Sequence, residues 1–91
     1  MMKMSLNGYE VQVLSFEVVE DAIESELGEL YSVVFRTDAK LKRLGYEDGE
    51  FRPLVMSIVD GERKAVKKNP RLIIVDTNDN EIQVFVRIKF E

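Results

Sequence analysis

The stretch that decides the fold is residues 81–91, EIQVFVRIKFE. Apolar side chains occupy every second position from Ile82 to Phe90, and polar side chains fill the positions between them except at Phe85. A period of two over this length is typical of a β-strand with one buried face. The pattern therefore predicts a sheet whose last strand turns Phe85 away from the core.

Residues 71–77 are expected to form the strand before it. Their central run, LIIV at 72–75, is apolar on both faces, which is typical of an interior strand that is covered on both sides. Residues 77–80, TNDN, have the composition of a turn. The two strands are therefore expected to pair as a hairpin.

The register of this hairpin has two alternatives. One pairs Ile73 with Val84 and sets Asp76 across from Glu81; the other pairs Ile74 with Val84 and turns Asp76 towards the apolar face. The first is favoured, because like charges on the solvent side can splay apart while a carboxylate on the apolar face costs more free energy.

The turn also resembles the beginning of a calcium-binding EF-hand loop, through Asp76, Asn78 and Asn80. The rest of that pattern is missing, since Glu81 stands where Gly is needed and Arg87 stands where a bidentate Glu is needed. A plain hairpin turn is expected here and no metal site.

The rest of the chain divides into shorter elements. In the first strand the apolar alternation changes parity between Val13 and Leu14, which indicates a β-bulge or a strand covered on both faces. The expected elements are a strand at 9–19, a helix at 20–27, a strand at 30–37, a short helix at 39–44 capped by Asp38, a loop at 46–53, a strand at 54–59, a hairpin turn at Asp60-Gly61, a basic edge strand or loop at 62–68 and a turn at Asn69-Pro70.

These elements predict a β-rich α+β domain with an antiparallel sheet of four to six strands and one or two short helices. The alternative is an all-β barrel or sandwich in which residues 20–27 form a long hairpin loop. In both cases residues 1–91 make a single domain.

The composition narrows the function classes. The chain contains no Cys and no His. Thiol nucleophiles, Ser-His-Asp and Cys-His triads and Cys-based metal sites are therefore excluded. The sequence predicts a protein that is not an enzyme and binds no cofactor. It has neither a run of about 20 apolar residues nor a signal-peptide core, so a cytoplasmic protein, or one carried in a viral particle, is expected without membrane contact.

The charges are unevenly distributed along the chain, whose formal net charge is −4. Residues 17–29 carry six acids and no base, and residues 63–71 carry five bases and no acid. The acidic stretch is a candidate contact for a basic partner through Glu20, Asp21, Glu24 and Glu26. The basic stretch is a candidate contact for phosphates or an acidic partner through Arg63, Lys64, Lys67, Lys68 and Arg71.

Apolar side chains opposite the core face form the third candidate site. In the favoured register Leu72, Ile74 and Phe85 share that face, where either the segment 39–44 or another molecule must cover them. A homodimer with two-fold symmetry is the simplest cover by another molecule.

The leading hypothesis from the sequence is a non-enzymatic protein–protein interaction or assembly module. It could be a subunit of a larger viral or bacterial complex or a small acidic inhibitor-type protein. The alternative is a nucleic-acid-binding module that uses the basic arm at 63–71, which the negative net charge disfavours.

Overall fold

In a computed structural model the chain is described at residues 2–20, 26, 28–76 and 81–91. The described part is built almost entirely from β-strands, with one 3-10 turn at Leu41–Leu44 and no α-helix. The strands are β1 Met2–Leu6, β2 Tyr9–Glu20, β3 Glu29–Arg36, β4 Tyr46–Glu47, β5 Glu50–Phe51, β6 Met56–Asp60, β7 Arg63–Asp76 and β8 Glu81–Phe90.

Six of these strands close into a barrel in the order β1-β2-β3-β8-β7-β6, and β4 pairs with β5 in a separate hairpin. Every neighbouring pair in the barrel is antiparallel. The strands β1–β3 form one meander and β6–β8 form another. Because β6 returns to lie beside β1, the order β6-β1-β2-β3 is a Greek key.

Alternating side chains of all six strands fill the interior. On β8, Ile82, Val84, Val86 and Ile88 are buried, so the alternation read from residues 81–91 is confirmed. One end of the interior is closed by rings: Phe16 stacks on Tyr31 with centroids 4.4 Å apart, and Phe90 meets both edge-on. The other buried apolar residues are Met4, Leu6, Val11, Val33, Phe35, Leu44, Met56, Ile58 and Ala65.

The two longest strands, β2 and β7, each pair with one neighbour over most of their length and with the other neighbour over only two or three residues. β2 pairs with β1 only at its first three residues, and β7 pairs with β6 only at its first two. Each of the two strands also has two register shifts, which leave Leu14 and Val19 unpaired on β2 and Val66 and Arg71 on β7. Bulges of this kind bend a strand and make its free edge a poor template for another strand.

The connection from β3 to β6 packs beside the open part of β7. Leu44 is buried in the core, and Phe51 of β5 packs against the core beside the segment 70–73 of β7. The Asn7 side chain fixes the end of this connection: its Oδ1 accepts from the amides of Leu54 and Val55, at 2.8 and 3.1 Å. Its Nδ2 donates to the Arg43 carbonyl at 3.0 Å.

The prediction of a β-rich domain with an antiparallel sheet of four to six strands is confirmed, whereas its α+β label is wrong and the alternative of an all-β barrel fits better. The physical reason lies in residues 39–44, of which Leu41–Leu44 form a four-residue 3-10 turn instead of an α-helix. Asp38 does not cap this turn; the Thr37 hydroxyl accepts from the Ala39 amide instead. The helix predicted at 20–27 falls mostly outside the described residues, although its first residue, Glu20, ends β2 and Glu26 lies in a turn.

Several boundaries also differ from the prediction. The sequence did not predict β1, because only two of its side chains, Met4 and Leu6, are buried and two positions are too few to show an alternating pattern. The turn between β6 and β7 is Gly61-Glu62, not Asp60-Gly61, because Asp60 pairs with Arg63. The loop predicted at 46–53 contains the β4–β5 hairpin. Leu54 precedes β6 and is 93% exposed.

The turn predicted at Asn69-Pro70 is wrong, because β7 runs through it without interruption. Proline is tolerated in this strand since β7 pairs with β8 alone at that point and the bulge at Arg71 follows at once. The parity change predicted after Val13 is confirmed as the bulge at Leu14. The favoured register of the β7–β8 hairpin is also confirmed, with Ile73 opposite Val84.

Candidate functional site

The candidate site is the outer face of the barrel wall formed by β3, β8 and β7, called the outer face below. At its centre Phe85 lies opposite Leu72 on one side and Ser32 on the other. The next row is Ile74, Gln83 and Val34. Two neighbouring strands therefore bring Leu72, Ile74 and Phe85 together, as the sequence predicted.

These apolar side chains are poorly covered. Leu72 is 56% exposed and Ile74 48%, while Phe85 and Val34 are half-buried. The segment 39–44 does not reach them, because Ala39 and Leu41 pack against the interior of the barrel instead. The expectation that β7 is covered on both sides is therefore wrong: its inner side chains meet the core and its outer ones meet solvent.

One polar contact organises the middle of the outer face. The Gln83 amide donates to the Ser32 hydroxyl at 2.8 Å, and Ser32 is the buried polar residue of the described chain. With its hydrogen bond satisfied inside the face, this pair adds little cost to covering the face with another apolar surface.

Charges of opposite sign lie at the two ends of the outer face. At one end Asp76 lies opposite Glu81, and at the other Lys67 lies opposite Lys89. On β3, Arg36 donates to Glu81 at 3.1 Å, an ion pair whose side chains are about half exposed. At the acidic end the Arg36–Glu81 ion pair offsets part of the repulsion between the facing carboxylates, whereas the basic end sets two lysine side chains opposite each other.

The predicted basic site is not one surface. Lys67 shares the outer face, whereas Lys68 lies opposite the buried Ile88 and its Nζ donates to the Ala65 carbonyl. Arg63 forms an ion pair with Asp60 at 2.7 Å and lies 4.3 Å from the centre of the Phe90 ring. Lys64 pairs with Val59 on β6, and Arg71 is the exposed bulge residue of β7.

The predicted acidic site is largely outside the described residues. Asp21 and Glu24 lie there, and only the backbone of Glu20 is described, paired with Leu30. Glu26 is exposed in a turn. The proposal that these acids contact a basic partner therefore gains no geometric support.

A polar cleft of about 360 Å³ lies beside the β4–β5 hairpin. Two of its three carboxylates are in ion pairs, since Glu47 lies 3.5 Å from the Lys42 amine and Glu50 lies 3.3 Å from the Arg52 guanidinium. Nowhere in the described residues do three or more Asp and Glu side chains gather as a metal site would need. The described residues also contain no helix long and apolar enough to span a membrane.

One buried titratable group belongs to the core. Burial, followed by the nearby Glu29 carboxylate, raises the pKa of the Tyr31 hydroxyl above its ordinary value of 10.0. Its ring stacks on Phe16 and its hydroxyl is hydrogen-bonded to the Glu29 side chain, so packing and this contact account for the residue.

Comparisons with known proteins gave no match: no family model, no curated protein and no solved structure is significantly similar to the chain. The choice of the outer face as the candidate site therefore depends on its geometry alone. Sequence reasoning missed its contributions from β3, Leu30, Val34 and Arg36, because the pairing of β3 with β8 joins residues more than 40 positions apart.

Proposed function

We propose that the chain is a non-enzymatic protein–protein interaction module that binds its partner through the outer face. The observation that carries this proposal is the apolar cluster of the exposed Leu72 and Ile74 with the half-buried Phe85 on a paired sheet. An apolar cluster on a rigid surface usually marks an interface, whereas scattered apolar side chains do not.

The energetics favour a partner on this face. Burying the exposed half of Leu72 and of Ile74 is worth about 1 kcal/mol for each side chain. The central strand β8 is hydrogen-bonded to β3 on one side and to β7 on the other, so the backbone of the outer face need not reorganise on binding. A pre-organised surface loses little conformational entropy, which is what an interaction module requires.

Nucleic-acid binding is less well supported. The cations at 63–71 do not line one path for phosphates. Lys67 lies on the outer face, Lys68 donates to the Ala65 carbonyl and Arg63 forms an ion pair with Asp60. The chain as a whole is acidic. Binding through phosphate contacts strengthens at low salt, so failure to bind duplex and single-stranded DNA even at low salt would agree with the interaction module.

The absence of cysteine allows a direct test. A single cysteine placed as Ile74→Cys and labelled with a benzophenone photo-crosslinker puts the probe on the outer face. Ser57→Cys, an exposed position on β6, is the matched control. We expect the Ile74 probe to give a discrete protein adduct in cell extract and the Ser57 probe to give none.

A second substitution makes that adduct specific. Adding Phe85→Glu places a charge at the centre of the outer face and should abolish the adduct, because a carboxylate would have to be buried without a partner. Adducts of equal yield from both probe positions, or an adduct that survives Phe85→Glu, would contradict the proposed function.

A further inference from the structure

The two like-charge pairs of the β7–β8 ladder lie symmetrically about Phe85, and the outer face also carries Arg36 opposite Glu81 and Arg87 opposite Asn69. On β8, Glu81 and Lys89 are each four residues from Phe85, which is about 13 Å in opposite directions at the rise of a strand. Their partners across the ladder repeat the pattern, since Asp76 lies beside Glu81 and Lys67 beside Lys89. The acidic pair and the basic pair are therefore equally distant from the apolar row.

This spacing fits a second copy of the same chain. A two-fold axis lying in the interface and perpendicular to the strands, at the level of Phe85, sets the strands of the two copies antiparallel. Phe85 then faces Phe85 of the other copy, and each acidic pair faces a basic pair. Sheets packed face to face lie about 10 Å apart, a gap that opposed Lys and Glu side chains can span.

We propose that the chain forms a homodimer through the outer face with this antiparallel two-fold arrangement. The inference rests on the proposed function and names its partner. It sets Lys67 and Lys89 of each copy against the acidic end of the other copy, which carries Asp76, Glu81 and Arg36 and is net negative. The other two-fold, with its axis along the strands, would set acid on acid and base on base.

The free strand edges are poorer sites for self-association. The open edges of β2 and β7 each carry two bulges, and Pro70 removes an amide from β7. These features hinder addition of another strand. The β3–β8 pairing has no register shift, so that part of the outer face is regular and association face to face is favoured over association edge to edge.

The size of the face sets the strength of the dimer. The rows from 81 to 89 span about 26 Å, and the three strands span about 14 Å, giving a footprint of about 370 Å² for each copy. This is about half of the area that each partner of a standard-sized interface buries. A weak dimer, with a dissociation constant in the high micromolar range, is therefore expected.

Charge reversal at either end provides the test, read by sedimentation equilibrium from about 1 µM to about 1 mM protein. The variant K67E/K89E has two acidic ends, and D76K/E81K has two basic ends. Each should raise the dissociation constant of its own homodimer by about 100-fold at low salt. An equimolar mixture of the two should form a heterodimer at least as tight as the wild-type dimer, since every end then meets its opposite.

The wild-type chain provides a check that does not depend on the folding of either variant. Attraction between opposite charges weakens with salt, so the wild-type dissociation constant should rise between about 50 mM and about 500 mM salt. A dimer that tightens with salt, or whose stability K67E/K89E leaves unchanged, would overturn the antiparallel arrangement.

Failure of this inference is distinguishable from failure of the proposed function. A wild-type chain that stays monomeric up to about 1 mM would remove the homodimer. If the Ile74 photo-probe still yields an adduct with a different protein, sensitive to Phe85→Glu, the interaction module stands with another partner.

Discussion

Gly28 offers the sharpest test of the barrel geometry. It is buried where the chain enters β3, has φ +94° and lies against β8. A Cβ added there would lie 2.0 Å from the carbonyl oxygen of Ile88 and 2.7 Å from the amide nitrogen of Lys89. Both neighbours are backbone atoms of a paired strand, so no side-chain rotation can relieve the contact.

The expected cost of Gly28→Ala has two parts. Holding alanine at a positive φ costs about 1–2 kcal/mol. Moving β8 away by more than an ångström weakens the β3–β8 ladder at this end, and losing about two hydrogen bonds adds about 2 kcal/mol. The sum, about 3–4 kcal/mol, is a large share of the 5–15 kcal/mol that stabilises a typical domain.

Gly8→Ala is the matched control. Gly8 has φ +84° in the β1–β2 turn, and a Cβ there would meet nothing within 4 Å. Only the cost of holding alanine at a positive φ applies, so a loss of about 1–2 kcal/mol is expected. Urea unfolding followed by far-ultraviolet circular dichroism measures both variants. Equal losses of stability would refute the close approach of Gly28 to β8.

Three further predictions concern other parts of the fold. Asn7→Gly keeps the positive φ of its turn and removes three side-chain hydrogen bonds. Its free energy of unfolding should therefore fall by about 1–2 kcal/mol, and the Leu54 amide should exchange its hydrogen faster. The control Asp48→Gly, also at a positive φ in a turn, should change the free energy of unfolding by no more than about 0.5 kcal/mol. Leu44→Ala should lose about 2–4 kcal/mol in urea unfolding, and the exposed Leu54→Ala should lose almost nothing. The raised pKa of Tyr31 favours its neutral form in the folded state, so its contribution to stability is present below pH 10 and is lost as pH rises through the folded-state pKa. In an alkaline absorbance titration Tyr31→Phe should remove the latest tyrosinate step.

Each of these has a clear contrary result. Equal exchange rates in the wild type and the Asn7 variant would mean that the side chain does not hold the connection to β6. Equal stability of the two leucine variants would mean that Leu44 does not fill the core. A titration in which Tyr31→Phe removes an early step would mean that its hydroxyl is open to water in the folded state.

The sequence predicted the strands whose side chains alternate and the pairing of neighbours in the chain. The β7–β8 register followed from where Asp76 could lie, because the cost of placing a carboxylate on an apolar face is a local matter. The bulge at Leu14 followed from a parity change for the same reason. Helices were over-predicted, since the residues at 39–44 fit a short helix and only packing decides that they form a 3-10 turn.

The candidate site was predicted in part. Leu72, Ile74 and Phe85 could be placed together because β7 and β8 are a hairpin. The contributions of Val34 and Ser32 could not, since nothing local to β3 indicates that it pairs with β8. The basic stretch was misleading as a unit, because it lies on a strand whose successive side chains point to opposite faces and which carries two bulges.

By itself the sequence determined that this is a sheet protein without the residues of the common catalytic triads, and it determined which side chains of the last hairpin avoid the core. Only the tertiary structure decided that six strands close into a barrel, that the connection from β3 to β6 fills the interior and that the outer face stays open. The physical reason is that alternation and turn chemistry act between near neighbours. Closure depends on pairings between distant strands, such as β3 with β8 and β1 with β6, whose energies no short stretch of sequence contains.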